Sequence, residues 1–265
     1  VAHNGQWPIN LAHVEGPAMK NRNIKLTIQY DGTRYRGWQR LGDSDNTIQG
    51  KIENVLSRMT EEKIELVGSG RTDSGVHALC QVAHFKTACL LRTAEMLDYC
   101  YRYLPEDIVV VRVETADGRF HARYNVKSKT YQYRIWNAPL HDVFERKYEW
   151  HVPELLDMGR MQEAALLFVG RHDFQSFTTL KTKKKSTERE LFSIELIKEG
   201  SRISMNFRAD GFLYNMVRII AGTLVEVGSG KLDKNALADI FARRERSLAG
   251  ITAPPHGLFL LRVEY

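Results

Sequence analysis

The run Gly68-Ser69-Gly70-Arg71-Thr72-Asp73-Ser74-Gly75-Val76-His77-Ala78 gathers an acid, a base and a histidine among three glycines. Several chemistries could be built on such a loop. A dinucleotide cradle needs G-x-G-x-x-G, and after Gly68 and Gly70 the sixth position is Asp73. Gly70 and Gly75 meet the spacing of a P-loop, but Val76-His77 stands where a Lys and a Ser or Thr must reach phosphate and magnesium. His77 and His84 have no companion ligand at metal spacing. That leaves Asp73 itself. It is either a turn aspartate bonding its own backbone or a carboxylate presented at a strand tip, with glycines letting a substrate come close. In an extended stretch Arg71 falls on the same side as Asp73, where its charge would help hold the acid ionised. Local physics alone leans to the turn.

Two further stretches carry residues out of keeping with their surroundings. Arg218 lies in Phe212-Leu213-Tyr214-Asn215-Met216-Val217-Arg218-Ile219-Ile220, a segment apolar on nearly every side. An arginine there is unfavourable unless it is paired or reaches out to water along its stem. Basic residues also cluster in Arg34-Tyr35-Arg36-Gly37-Trp38-Gln39-Arg40, Lys127 to Arg134, 181–185 and Arg243 to Arg246. The first two clusters interleave aromatics, which suits a surface that grips phosphates and stacks bases. The lysine run at 181–185 reads more simply as a solvated face.

The chain of 265 residues is long enough for a sizeable core. Its 43% hydrophobic and 26% charged residues place it in the globular class, with a net charge of +6. Three cysteines without a C-x-x-C pair argue against a disulfide framework or a zinc site and for a reducing cytosol. No apolar run approaches the length of a membrane span.

The elements that must position these residues come in a repeated order. Residues 1–18 show no period, and Met19 reads as the natural start, with an extension before it. Ile24 to Tyr30 alternates as a strand; Thr47 caps a helix through Ile48, Ile52, Val55, Leu56 and Met59. Short strands follow at Ile64 to Val67 and Gln81 to Phe85. A second helix opens at Thr93, and the run Ile108 to Val113 reads as a buried strand. In the second half, Lys129 to Trp136 is a strand, and Pro153 starts a helix closed by Gly170. Phe192 to Ile197 and Ile203 to Phe207 pair about a turn at Gly200. Phe212 to Val227 is a long apolar helix, a shorter one follows from Asp233, and Leu258 to Val263 is the last strand. The expected fold is α+β: two ferredoxin-like β-α-β-β-α-β halves, 19–122 and 123–265, joined around a central cleft. The expected sheet is mixed and mostly antiparallel, with helices on one face.

The full string is more specific than any of these arguments. GRTDSGVHA resembles the catalytic loop of the TruA family of tRNA pseudouridine synthases. YDGTRYRGWQR, TIQGKIENVL, QVAHF, LPEDIVV, RFHARYNVKSKTYQYRIWN, FVGRHDFQSF, FRADGFLYNMVRIIAGTLVEVG and HGLFLLRVEY resemble the family's other blocks in the family's order. The resemblance runs from Met19 to Tyr265. The segment Tyr99-Cys100-Tyr101-Arg102-Tyr103 departs from it, since the family commonly has an asparagine before Leu104-Pro105.

The resemblance implies an enzyme that turns uridine into pseudouridine at positions 38, 39 and 40 of tRNA anticodon stem-loops, in the cytoplasm, as a homodimer. The same chemistry on ribosomal or another RNA, and a non-catalytic RNA-binding module, are the alternatives. No cofactor and no metal are implied. By resemblance Asp73 is the essential acid, Arg218 its partner, Arg71 the residue that helps extrude the base, and Tyr131 the ring that holds it. Leu258 matches an apolar residue packed near the base, and Tyr133 reads as core beside Tyr131. Arg34, Arg36, Arg40, Lys127, Lys129 and Arg134 would line or flank a groove for RNA backbone.

Overall fold

Alternation writes the first strand directly. In β1 (Arg22–Tyr30) Ile24, Leu26, Ile28 and Tyr30 are buried, while Lys25, Thr27 and Gln29 between them are more open. The following helix, α1 (Ile48–Thr60), starts where Thr47 Oγ1 accepts from Gly50 N at 3.2 Å, and it buries Ile48, Ile52, Val55, Leu56 and Met59. The computed structural model describes residues 21–42, 44, 46–180 and 186–265. The expected extension, with Met19, and the lysine run at 181–185 lie outside the described residues.

The first half continues with β2 (Val67–Gly68), β3 (His77–Thr87), α2 (Thr93–Tyr103) and β4 (Ile108–Ala116). The second holds β5 (Ser128–Trp136), β6 (Trp150–His151), α3 (Met158–Leu166), β7 (Gly170–Asp173), β8 (Glu188–Glu199), β9 (Arg202–Ala209), α4 (Met216–Gly228), α5 (Ala236–Arg243) and β10 (Leu258–Glu264). The sheet order is β4-β1-β3-β10-β5-β9-β8-β7, with β2 on β3 and β6 on β5. With β6 and β7 set aside as additions, the four remaining strands of each half, numbered in chain order, share one spatial order, 4-1-3-2: β4-β1-β3-β2 and β10-β5-β9-β8. The topological repeat expected from the sequence is therefore a spatial one. Among these strands pairing is antiparallel except for β10 on β3 and β6 on β5. The apolar residues of β1, β3, β5, β9 and β10 belong to one continuous core with those of α1, α3 and α4.

The seam between the halves creates the space for a site. One edge of β3 is occupied by β1 along its length. The other edge is shared: β10 pairs it at His77 and Ala78, and β2 pairs it at Ala83 and His84. The loop from β2 back to β3, which contains Asp73, therefore emerges where the second half leaves the first. β10 then runs on along β5, with Leu258 opposite Tyr133 and Leu260 opposite Tyr131.

Several elements differ from the sequence expectation, each for a local reason. Ile64 to Leu66 make no ladder, because Ser57 Oγ accepts from Ile64 N at 3.0 Å and Glu53 Oε1 from Leu66 N at 2.9 Å. The helix expected from Pro153 starts at Met158, capped by Asp157, whose carboxylate accepts from Arg160 N at 3.1 Å. Asn137 Nδ2 donates to Val152 O and Glu154 O and holds the intervening chain out of a helix. Gly170 has φ +109° and opens β7, a strand without a counterpart in the sequence expectation. β4 lies at the sheet edge, so Ile108 and Val110 are buried but Val111 is exposed. The helix expected from Phe212 begins only at Met216, after Asn215 in the left-handed region at φ +61°.

Helix α4 packs closely on the segment that follows α5. A Cβ at Gly222 would lie 2.0 Å from Ile251 O, and Thr223 Oγ1 accepts from Gly250 N at 3.0 Å. Gly222→Ala should force that segment away from the helix and destabilise the protein by about 2 kcal/mol. Urea unfolding followed by circular dichroism measures this; an unchanged midpoint would show that the packing gives way freely.

Candidate active site

The loop 69–76 is braced from three sides before it presents anything. Ser69 N donates to Val82 O at 2.7 Å, and Gln81 Nε2 donates to Gly70 O at 3.0 Å. From the turn after β1, Trp38 N donates to Thr72 O at 3.1 Å, and Ser74 Oγ donates to Tyr35 O at 3.0 Å. Thr72 is buried, with its hydroxyl 2.7 Å from that of Tyr30. Gly75 turns the chain at φ +77°, which glycine adopts without strain, and lets it enter β3. His77, the next polar side chain, is held away from the loop: its Nδ1 lies 3.1 Å from both Gly32 N and Asp31 Oδ1, and its Nε2 lies 3.2 Å from His256 O.

What this scaffold presents is Asp73. Its Oδ2 lies 3.5 Å from Arg218 Nη1, with 22% of the Asp73 side chain and 15% of the Arg218 side chain exposed. Arg218 is held in turn, because its Nε donates to Ala253 O at 2.7 Å and its Nη1 to Asn215 Oδ1 at 2.9 Å. Burial pushes the Asp73 carboxyl above its usual value of 3.8, and the charge and hydrogen bond of Arg218 pull it back part of the way. Arg218 thus acts as the nearby cation expected to favour the charged form, but desolvation is the larger effect.

Asp73 and Arg218 share a cleft of about 560 Å³ with Ser69, Gly70, Arg71, Thr72, Val76, Arg123, Lys129, Tyr131, Arg189, Phe212, Asn215 and Leu258, among others. That volume suits one nucleotide-sized group. Tyr131 stands edge-on to Phe212, with ring centroids 5.1 Å apart. Burial, reinforced by the nearby Asp73 carboxylate, keeps its phenol firmly protonated. Leu258 is buried and supplies an apolar wall. The combination is a carboxylate with one matched cation, an aromatic wall and a protonated phenol, in a partly dry recess between two halves of a fold.

The structure sorts the remaining expectations. Arg71 is exposed and donates to Gln39 Oε1 at 2.9 Å, so the cation paired with Asp73 is Arg218 and not Arg71. Tyr133 is core, its hydroxyl donating to Pro254 O at 2.8 Å. Lys129 lines the cleft, whereas Arg34, Arg36, Arg40 and Lys127 lie outside its lining. Arg34 is paired with Asp107 at 2.6 Å and Arg40 with Glu53 at 3.2 Å. Arg134 packs over the Phe259 ring at 4.0 Å and does not line the cleft either. Phe212, Asn215, Arg123 and Arg189 join the site without having been expected there. Only Asn215 carried a signal, as a polar residue three positions before Arg218 in an otherwise apolar segment. Among the described residues, no helix is long and apolar enough to cross a membrane.

A tRNA pseudouridine synthase family model matches residues 26–125 and 164–265. The chain is 49% identical over 243 residues to a tRNA pseudouridine synthase A 2 of Bacillus cereus, covering 92% of this chain and 99% of the relative. It is 47% identical over 244 residues to the tRNA pseudouridine synthase A 1 of Clostridium tetani, covering 92% of this chain and 100% of the relative. Among solved structures, a chain of a Cbf5-Nop10-Gar1 complex aligns at TM-score 0.39 and 12% identity, covering 89% of this chain and 48% of that one. Site and relatives define an enzyme of the RNA-isomerising class. The chain belongs to the tRNA pseudouridine synthase family.

The Asp73 environment can be measured without substrate. Its side-chain carboxyl carbon should titrate above 3.8 by NMR, because burial outweighs Arg218. Arg218→Met removes the cation that favours the charged form, so the midpoint should move further up. A wild-type midpoint at or below 3.8, or a downward move in the variant, would contradict the assignment.

Proposed function

We propose that this chain isomerises uridine to pseudouridine in tRNA anticodon stem-loops, at positions 38, 39 and 40, with Asp73 as its essential acid. The observation that carries the reading is the half-buried Asp73 carboxylate, 3.5 Å from Arg218 inside a cleft walled by Tyr131 and Leu258. The reaction breaks the bond from ribose carbon 1′ to base nitrogen 1 and forms one to carbon 5. The carbon 5 proton leaves and nitrogen 1 gains one, so redox state and atom count are unchanged.

An ionised carboxylate at contact distance serves each available route: attack on carbon 1′, addition to the base, or removal of a sugar proton toward a glycal. Arg218 keeps the acid usable in a site that would otherwise protonate it. The detached uracil must turn without escaping, and the Tyr131 ring, the Phe212 edge and Leu258 form the apolar surfaces against which it turns. The protonated Tyr131 hydroxyl is a donor throughout. Extruding the base from its stack leaves a gap. In this reading Arg71, exposed and donating to Gln39, fills it, and its exposure supports that role. Exposed Arg36 and Lys127 contribute phosphate contacts outside the cleft. The full assembly in this reading is a cytoplasmic homodimer bound to one tRNA.

Tritium release from 5-tritiated uridine in bulk tRNA tests the chemistry. Asp73→Asn should reduce the rate at least about a thousandfold, equivalent to about 4 kcal/mol at the barrier. Equal release from variant and wild type would remove the mechanism. Mapping the modified positions separates anticodon stem-loops from ribosomal targets. Arg36→Gln with Lys127→Gln should lower the slope of log affinity against log salt by about 0.7–0.9 for each phosphate that is no longer neutralised. An unchanged slope would remove these two residues from the interface.

A further inference from the structure

The cleft contains more positive charge than its one carboxylate can answer. Asp73 is matched by Arg218. Lys129, Arg123 and Arg189 line the same cleft, and among the described residues none of the three forms an ion pair with a carboxylate. Arg189 Nη1 donates to the backbone carbonyls of Ser186 and Glu188.

Lys129 is the most constrained of them. It lies on β5 two residues before Tyr131, so both side chains share one face of the strand. Its Nζ donates to Ser69 O at 2.7 Å, at the root of the loop that presents Asp73. A Cβ at residue 70 would sit 2.7 Å from that nitrogen, so the ammonium passes close over the glycine. Burial, then the nearby charge of Arg123, push the Lys129 amine down to about 8. It therefore remains mostly charged at neutral pH. A cation held in a recess without a counter-ion is stabilised when an anion arrives. When a nucleotide is extruded, the groups drawn to the mouth of such a recess along with the base are its flanking phosphodiesters.

We infer that Lys129 and Arg123 form an anion subsite for a phosphodiester flanking the extruded uridine, and that Lys129 links this phosphate to the catalytic loop through Ser69. The inference rests on the RNA-modifying reading and adds to it a defined contact. It differs from the role of Arg34 and Arg40, whose charges are already met by Asp107 and Glu53. One ammonium bridges the substrate backbone and the loop carrying the acid, so binding of the phosphate and placement of Asp73 are coupled.

Fluorescence anisotropy with the full chain and labelled anticodon stem-loop RNA tests this. Single neutral methylphosphonate linkages are placed on the 5′ or the 3′ side of the target uridine. Wild type should lose about tenfold in affinity at one of the two linkages, the size of a charge-assisted hydrogen bond. Lys129→Gln should bind the unmodified RNA about tenfold more weakly and respond to that same linkage by less than about twofold. Arg123 sits on an exposed linker, so Arg123→Gln should fold normally and shrink the penalty at the same linkage. This arm decides the matter if Lys129→Gln is misfolded by circular dichroism. Equal penalties in wild type and variants, or no penalty at either linkage in wild type, would overturn the subsite. Failure of wild type to bind unmodified RNA at all would instead overturn the RNA-modifying reading on which it rests.

Discussion

Burial opposes the charge on Asp73, and an arginine from the other half of the molecule opposes burial. Much of the architecture follows from holding those two groups together. The carboxylate comes from a loop of the first half, and the guanidinium from the first turn of α4 in the second. Neither half has both. The guanidinium is itself aimed by Ala253 O and Asn215 Oδ1, so the ion pair is specified by three contacts and not by charge alone. An acid in water would need no such partner, but it would also lack the low-dielectric surroundings that strengthen electrostatic interactions. The site balances the two demands.

The sheet makes that balance possible. One edge of β3 takes β10 at one end and β2 at the other, so the two halves share a strand seam and then part. The loop 69–76 fills the parting. Its bracing by Trp38, Tyr35, Gln81 and Val82 holds the backbone beneath Asp73 from the first half, Lys129 reaches Ser69 O from the second, and Arg218 of the second half opposes the burial of the acid.

Much of this is legible in the sequence, for identifiable reasons. Alternation marks β1, β5 and β9; Thr47 marks the start of α1; and an arginine in an otherwise apolar helix points to a buried partner. The α+β class and the repeated order follow from those elements. Arg71 departs from its expected place because a two-residue spacing puts side chains together only in an extended strand, and here the loop turns. Thr72 goes inward to Tyr30 and Arg71 outward to Gln39. Phe212 stays out of the helix because Asn215, in the left-handed conformation, delays its start, and apolar periodicity does not reveal such a residue. Arg123 cannot be found from pattern at all. Its place in the cleft depends on where the linker between β4 and β5 crosses the sheet.

The seam has a further effect that concerns synthesis. Strands β3 and β10 stand side by side, yet most of the polypeptide lies between them in sequence. While the protein is being made, the edge of β3 that β10 will cover at His77 and Ala78 must wait for nearly all the intervening residues to be translated. An uncovered strand edge is a template for wrong pairing, and contacts so distant along the chain form slowly. The arrangement that brings acid and arginine together is thus also the last part of the sheet to close, and the nascent first half is the species most exposed to strand exchange and aggregation.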